Sequence, residues 1–188
     1  MIGAFPKPVL GFVAYSGTGK TTLLTRLIPL LREAGLRVGL VKHAHHGFDP
    51  DIPGKDSYRL RKAGAAQTLV ASPRRWALFT EEPEEGEAPL AAMLERLDPG
   101  RLDLVLVEGF RGEDIPKIEV HRPALGQPAL YPELEGIIAV ALDAPPELDF
   151  GNLPLLDINR PETVAACIQV EMREGRLRAG VFGEDPQC

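Results

Sequence analysis

The chain alternates short apolar runs with longer segments whose apolar residues recur at helical spacing. Runs typical of strands lie at 9–14, 37–42, 104–107, 117–121 and 137–142. Helices are predicted at 20–34, 57–62, 88–97 and 161–173. Because strands and helices alternate along the chain, the sequence predicts an α/β fold with a mainly parallel sheet.

One pair of runs departs from this alternation. The strand-like runs 67–71 and 76–80 are separated by the turn signal Ser72-Pro73, which predicts an antiparallel hairpin added to the sheet.

Within the first helix, Pro29 predicts a kink, and Gly35 is predicted as the residue that caps its end. The acidic run 81–87 is expected to be a solvated loop.

A glycine-rich turn, residues 15–22, joins the first strand to the first helix. It matches the P-loop pattern G-x-x-x-x-G-K-[ST], except that Ala14 replaces the first glycine. Such a turn surrounds an anion with backbone N–H groups at the positive end of a helix dipole. The substitution at Ala14 is expected to matter little, because the cradle is formed by the residues just before the lysine. The predicted nucleotide-binding residues are Ser16, Gly17, Thr18, Gly19, Lys20, Thr21 and Thr22.

An acidic residue ends one of the buried strands. The run 104–107 is wholly apolar, as in a strand buried on both faces, and Glu108 follows it. Ligands gather at the carboxyl ends of parallel strands, so Glu108 is predicted to bind a metal or to position an attacking water. Asp103 lies at the wrong end of the strand for this role. We predict Lys20 and Glu108 as catalytic residues, and Thr21 and Glu108 as metal ligands.

Histidines cluster after the second strand. His43, His45 and His46 precede Asp49 and Asp51, and these residue types can hold a transition metal. No H-x-x-x-H spacing supports a metal, so two other interpretations stay open. The histidines could bind a ligand phosphate or carbonyl or orient a neighbouring aspartate, or they could be solvated loop residues.

Length and charge restrict the class of protein. We predict one nucleotide-binding domain over 1–174 and a tail over 175–188 that is an edge element or loosely ordered. A net charge of −6 predicts neither a nucleic-acid partner nor an anionic membrane. No apolar stretch approaches the ~20 residues of a membrane helix. With no signal-peptide pattern, and with Cys167 and Cys188 far apart, the cytoplasm is the expected location.

Three segments together resemble the MobB family of GTP-binding accessory proteins in molybdenum cofactor biosynthesis. They are the glycine-rich turn with Leu23-Leu24, the block from Leu40 to Ser72, and Leu104 to Phe110. The middle block reads K-H-x-H-H, then G-K-D-S, then R-x-A-G-A, and it is the most specific of the three. The resemblance covers roughly residues 8–160.

The resemblance implies a P-loop NTPase fold with three α/β/α layers, GTP and Mg²⁺ as ligands, slow hydrolysis and a homodimer. It implies a MobA-like nucleotidyltransferase, which joins molybdopterin to GMP, as partner, and it leaves molybdopterin as a candidate ligand. Carried over by position, the phosphate and metal residues are Gly17, Gly19, Lys20, Thr21 and Glu108. The residues implied to face the nucleotide or a cofactor intermediate are His43, His45, His46 and Asp56.

No motif in the sequence identifies the nucleotide base that such a site would select. The chain contains no N-K-x-D string, and Asp143, just after the strand 137–142, is the predicted base-reading carboxylate. Tyr15 stands where MinD-like ATPases carry an extra lysine, so we do not expect a partner's lysine to complete the site.

Two other functions stay open. The first is a small-metabolite kinase or ligase that uses ATP, with Asp56 as base and a lid formed by Arg59, Arg61, Arg74 and Arg75. The second is a non-catalytic adaptor whose P-loop is vestigial. A panel of nucleotides separates the three functions.

Overall fold

The computed structural model describes residues 5–44, 48–82, 86, 88–145, 148–177 and 179–180. Contacts divide the chain into two compact units. The first unit comprises Met1–His43 and Pro89–Cys188, and the second unit comprises Ala44–Ala88. The predicted boundary between a domain and a tail at residue 174 stays a prediction.

The elements follow the predicted alternation closely. The strands are β1 (Phe5–Val13), β2 (Val38–Lys42), β3 (Gln67–Ser72), β4 (Arg75–Thr80), β5 (Leu104–Glu108), β6 (Lys117–His121), β7 (Ile137–Leu142), β8 (Leu155–Asp157) and β9 (Ala179–Gly180). The α-helices are α1 (Lys20–Glu33), α2 (Asp56–Lys62), α3 (Leu90–Glu95) and α4 (Pro161–Arg173). Short 3₁₀ helices lie at Pro99–Arg101 and Pro123–Leu125.

The first unit contains a mainly parallel sheet. Its strand order is β2-β5-β1-β6-β7-β8, and every pair in this order is parallel. The strand β9 is antiparallel to the N-terminal part of β1. The strand β1 lies between β5 and β6, so the strand order changes direction there. The turn after β1 therefore opens at this switch point, where ligands of α/β sheets bind. The predicted fold class is confirmed.

Apolar side chains cover both faces of this sheet. Leu104 and Leu106 contribute to the cluster that contains α1 and α4, whereas Val105 and Val107 contribute to the cluster that contains α3. All five residues of β5 are buried, as the unbroken apolar run predicts. The sheet is therefore packed on two sides, and its buried charged or polar residues are Glu108 at the end of β5 and Lys117, Glu119 and His121 in β6.

The helix α1 ends where the sequence predicts. Gly35 has φ of 88°, and the N–H of Leu36 donates to the carbonyl of Leu31, the bond that closes a left-handed helix terminus. The helix continues through Pro29 to Glu33, and the predicted kink stays a prediction. None of the described helices is both long and apolar enough to cross a membrane.

The second unit contains the predicted hairpin, but the hairpin's place is a correction. The strands β3 and β4 form a separate two-stranded sheet instead of an addition to the parallel sheet. Arg61 of α2 is buried in this unit, where its guanidinium binds the carboxylates of Asp49 and Glu81 and lies over the ring of Phe79. Four large apolar side chains of the hairpin are exposed: Leu69, Val70, Trp76 and Leu78.

Candidate nucleotide-binding site

The backbone of the glycine-rich turn has the alternating handedness of an anion-binding nest. Gly17 and Gly19 have φ of 82° and 90°, in the region where a side chain is strained. Thr18 between them is buried, and its hydroxyl donates to the carbonyl of Tyr15 at 3.0 Å. Gly19 is the N-cap of α1, so the N–H groups of this turn lie at the positive end of the helix dipole. The turn is thus shaped for an anion.

The substitution of the first P-loop glycine by Ala14 has a simple structural explanation. Among the described residues, the only non-glycine with positive φ is Phe110, so Ala14 does not need the freedom of glycine. Its side chain packs against the cluster around α1. As predicted, this substitution leaves the positive φ angles at Gly17 and Gly19 in place.

Glu108 connects the carboxyl ends of two strands to the glycine-rich turn. The Thr21 hydroxyl donates to Oε1 of Glu108 at 3.1 Å, and Nζ of Lys20 lies 3.9 Å from the same oxygen. Nζ of Lys42 lies 3.2 Å from Oε2. The Glu108 residue is only 8% exposed, so these partners compensate a carboxylate that has lost most of its water.

The strand register explains why these groups meet. Lys42 of β2 pairs with Glu108 of β5, which pairs with Phe12 of β1, just before the glycine-rich turn begins. Asp103, at the other end of β5, binds Arg37 instead, with both carboxylate oxygens engaged and its pKa held well below the usual range by that guanidinium. The structure therefore separates these two acids as predicted.

Positive side chains concentrate around Lys20. Burial lowers the pKa of Lys20, Glu108 raises it, and Lys42 and Arg111 lower it further. An anion bound beside Lys20 would be attracted by Lys20 itself and by the neighbouring Lys42 and Arg111. A chain with a net charge of −6 thus presents a local cluster of positive side chains.

Arg111 reaches the glycine-rich turn from the loop after β5. Gly109 and Phe110 both have positive φ, and this turn brings the Arg111 guanidinium over the ring of Tyr15, 4.9 Å from its centroid. The same guanidinium donates to the carbonyl of Ala14 at 3.0 Å. The loop packs against the residue that follows β2, since the ring of His43 stacks on Phe110 with centroids 4.8 Å apart. A Cβ at Gly109 would lie 2.8 Å from the Cβ of His43, so only glycine fits there.

Arg122 joins the glycine-rich turn to Asp143. Its Nε donates to the carbonyl of Thr18 at 2.7 Å, and its Nη1 donates to Oδ2 of Asp143 at 2.8 Å. Arg122 follows β6 and Asp143 follows β7, so both leave the sheet at its carboxyl edge. The sequence analysis missed Lys42, Arg111 and Arg122. Lys42 and Arg122 could have been found by extending to every parallel strand the end-of-strand argument used for Glu108.

The residues of the histidine block fall in different parts of the structure description. His43 lies in the first unit, while His45 and His46 lie outside the described residues. Asp56 begins α2 in the second unit, where its side chain is 94% exposed and 4.0 Å from Arg59. The roles predicted for these residues stay predictions.

The two aspartates considered for a transition metal have other partners. Asp49 accepts a hydrogen bond from Arg61, which lowers the pKa of its carboxyl, and Asp51 accepts from the hydroxyl of Ser57. Within the described part of the chain, no group of three or more His, Cys, Asp or Glu residues is arranged to hold a metal.

The donors beside the glycine-rich turn fit Mg²⁺. Magnesium is held in phosphate-binding sites by one or two protein oxygens together with water and substrate phosphates. Thr21 and Glu108 supply two such oxygens 3.1 Å apart, and Lys20 and Lys42 lie beside the same carboxylate. Ser16 and Thr22 are exposed at the same turn.

Comparisons with known proteins agree on one family. The sequence profile of the family described as "Molybdopterin guanine dinucleotide synthesis protein B" (MobB) matches residues 9–143. The molybdopterin-guanine dinucleotide biosynthesis adapter protein of Escherichia coli (strain K12) is 54% identical over 166 residues, covering 88% of this chain and 93% of that protein. The adapter protein of Haemophilus influenzae is 45% identical over 163 residues, with 86% and 88% covered.

Solved structures support the same assignment. A crystal structure of molybdopterin-guanine biosynthesis protein B is 30% identical, with a TM-score of 0.65, and covers 86% of this chain and 98% of that one. The MobB homolog from Bacillus stearothermophilus is 27% identical, with a TM-score of 0.64 over 88% and 98%. The predicted resemblance is confirmed, and the chain belongs to the MobB family.

Proposed function

We propose that this chain is an adapter in the biosynthesis of molybdopterin guanine dinucleotide that binds GTP with Mg²⁺ at the glycine-rich turn. The adapter role is supported by the family match and by the names of relatives up to 54% identical. GTP, Mg²⁺ and assistance to a MobA-like nucleotidyltransferase are our more specific proposals. As an adapter, the chain would hold the nucleotide and hydrolyse it slowly at most.

The observation that carries the nucleotide proposal is the contact between Thr21 and Glu108 beside Lys20. Thr21 and Lys20 come from the start of α1, and Glu108 comes from a strand 87 residues away. Each has the chemistry that a Mg²⁺–triphosphate site requires: a hydroxyl, a carboxylate and a cation at a helix N-terminus. Their convergence at the switch point of the sheet supports nucleotide binding more strongly than the glycine pattern alone.

Each residue has a distinct role in this proposal. The N–H groups of Gly17 to Thr21 donate to the phosphates, and Lys20 moves from Glu108 toward the β- and γ-phosphates. Thr21 and Glu108 would hold Mg²⁺, which supplies charge neutralisation of the triphosphate. Lys42 remains on Glu108 and keeps that carboxylate oriented.

A thermal-shift panel tests this proposal directly. GTP and a non-hydrolysable analogue should stabilise the protein with Mg²⁺, by about 2.7 kcal/mol at a hundred times Kd, and ATP should stabilise it less. Lys20→Ala should abolish the shift while the unliganded melting temperature stays close to the parent's, because Lys20 lies at the phosphate turn and outside the apolar core. If ATP stabilises and GTP does not, the guanine assignment is wrong.

Glu108→Gln tests the metal side of the site. The variant should bind nucleotide but lose most of its dependence on Mg²⁺, because the amide is a poorer ligand than a carboxylate. Asp103→Asn is a matched control next to the same strand, since Asp103 pairs with Arg37 away from the turn. An unchanged Mg²⁺ requirement in Glu108→Gln would remove Glu108 from the metal site.

The kinase alternative loses one of its predicted lid residues. Arg61 is buried and held by Asp49 and Glu81, so it cannot serve as a mobile phosphate clamp. A reconstituted synthesis of molybdopterin guanine dinucleotide, with and without the chain and its Lys20→Ala variant, separates the adapter from a kinase and from a vestigial P-loop. Analytical ultracentrifugation of the same samples tests the proposed homodimer.

A further inference from the structure

The peptide between Thr18 and Gly19 is held by a residue from a distant part of the chain. Nε of Arg122, which follows β6, donates to the Thr18 carbonyl at 2.7 Å across 104 positions of sequence. The groups on either side are held locally. The Thr18 hydroxyl donates to the carbonyl of Tyr15, and the Gly19 carbonyl accepts from the N–H of Leu23 in α1. The Thr18–Gly19 peptide therefore depends on a contact from outside the turn.

The direction of this peptide determines where the Gly19 N–H points. A peptide bond is planar and trans, so its C=O and its N–H point in opposite directions. Because the Thr18 carbonyl points at the guanidinium of Arg122, the Gly19 N–H points away from it. That N–H is one of the groups we propose as phosphate donors. The Arg122 hydrogen bond thus fixes the orientation of a donor of the anion-binding nest.

Glycine at position 19 makes the nest conformation possible but does not select it. Gly19 has φ of 90°, a conformation that other residues rarely adopt. Glycine populates negative φ about as readily, so the Thr18–Gly19 peptide could flip at little cost and turn its N–H away from the ligand. A hydrogen bond from a charged donor favours one of these two orientations. Arg122 therefore supplies the selection that a glycine lacks.

Arg122 is itself held on its other side. Its Nη1 donates to Oδ2 of Asp143 at 2.8 Å. The guanidinium also packs on Gly19, where an added Cβ would lie 3.4 Å from Nη2. Two of its nitrogens thus already donate to protein acceptors, which suits a residue that supports the turn. The base-reading role predicted for Asp143 stays a prediction.

We propose that Arg122 is a positioning residue for phosphate binding, which holds the Thr18–Gly19 peptide so that the Gly19 N–H faces the anion, and that Asp143 holds Arg122 in turn. The inference rests on the proposed function, because it presumes that phosphates bind at the glycine-rich turn. It makes the affinity depend on a side chain that acts through the backbone. When only a fraction of the free molecules has the binding orientation, the apparent affinity falls by that fraction.

Titration calorimetry with inorganic pyrophosphate and with GTP, both with Mg²⁺, tests this role. Arg122→Gln should weaken both ligands by a common factor, about tenfold if about a tenth of the molecules keep the binding orientation. Arg122→Lys should weaken both nearly as much, because one ammonium group cannot reach the Thr18 carbonyl and Asp143 together. A lysine variant that binds like the parent would show that the residue acts through its charge, and would overturn the positioning role.

Arg37→Lys is the matched control. Arg37 likewise joins a carboxylate to a carbonyl, those of Asp103 and Gly100, but before the start of β5 instead of at the phosphate turn. This variant should keep the parent's affinity for both ligands. A loss in Arg37→Lys as large as that in Arg122→Lys would assign the effect to a general loosening of the fold and would overturn the proposal.

Asp143→Ala tests the same link with Arg122 unchanged, and it carries the test if the Arg122 variants fold poorly. It should weaken pyrophosphate and GTP by a common factor smaller than that of Arg122→Gln, because the Thr18 contact remains. A loss for GTP alone would overturn the role given to Asp143. If neither ligand binds the parent, the proposed function fails. If both bind the parent and all these variants equally well, only the positioning role is overturned.

Discussion

The two units of this chain differ in how much apolar surface they bury. In the first unit the interior is apolar on both faces of the sheet, and charged residues such as Glu108 and Arg122 lie at strand ends. In the second unit the buried side chain at the centre is Arg61, while Leu69, Trp76 and Leu78 are exposed. The first unit therefore depends on hydrophobic burial, and the second depends more on a few charged hydrogen bonds.

The largest expected effect compares leucines in the two units. Leu27 of α1 is fully buried in the core cluster, whereas Leu69 of β3 is 62% exposed. Leu27→Ala should lower the free energy of unfolding by about 2–5 kcal/mol, and Leu69→Ala by about 0.5 kcal/mol or less. Urea unfolding followed by far-UV circular dichroism measures both. A cost for Leu69→Ala as large as that of Leu27→Ala would show that the exposed hairpin face is covered in solution.

A smaller and more local effect is expected at Arg61. Arg61→Leu leaves the carboxylates of Asp49 and Glu81 without their shared partner, so the second unit should open while the first keeps its structure. Trp76 is the single tryptophan of the chain and lies in β4, so its fluorescence follows the second unit alone. The fluorescence transition should shift to lower urea, ahead of the circular dichroism transition.

Arg59→Leu is the control for this experiment. Arg59 lies on the same helix, its side chain is 76% exposed, and its ion pair with Asp56 spans 4.0 Å. Coincident fluorescence and circular dichroism transitions in both variants would contradict the idea that Arg61 stabilises the second unit locally.

The smallest effect concerns an ion pair at the surface of the first unit. Arg176 donates to both oxygens of Glu171 and lowers the pKa of that carboxyl. Since the folded pKa lies below the unfolded value of about 4.3, the contribution is complete above that pH and disappears as the pH falls through the folded pKa. Glu171→Gln should cost about 0.5–1 kcal/mol at neutral pH, because Arg176 is half exposed and screened by water.

Unfolding experiments over a pH series check this assignment. The difference between the parent and Glu171→Gln should be constant from about pH 7 to about pH 5 and should vanish in acid. A difference that persists at the lowest pH would assign the loss to packing of the side chain, not to its charge.

The fold was predictable because the central strands of the parallel sheet, β5, β1, β6 and β7, are largely buried. The runs that became β5 and β7 are unbroken and apolar, and no other element type explains them as well. The strand β8 was not predicted, because a strand of three residues is too short to show an alternation of apolar and polar positions. The strand β1 begins at Phe5, earlier than predicted, since Pro6 and Pro8 look like loop residues until β9 is seen to pair there.

Apart from the glycine-rich turn, which its motif identifies, the candidate site was predictable only where strand order determines it. Glu108 follows from the rule that parallel strands end on the ligand side, and the same rule covers Arg122. Arg111 does not follow from any such rule, because its position depends on two successive positive φ angles at Gly109 and Phe110. The separation of the hairpin from the main sheet was also beyond the sequence, since β3 and β4 have strand patterns that do not specify a partner.

The junction at His43 has a mechanical consequence. His43 is the last residue of the first unit before the chain enters the second, and its N–H donates to the carbonyl of Glu108 at 2.8 Å. A force applied to the second unit, by a partner or another copy, would therefore act on the first unit through His43. That residue is one hydrogen bond from Glu108, which lies beside Lys20 and Thr21. The peptide link between the units therefore starts at the carboxyl edge of the parallel sheet, at a residue hydrogen-bonded to Glu108.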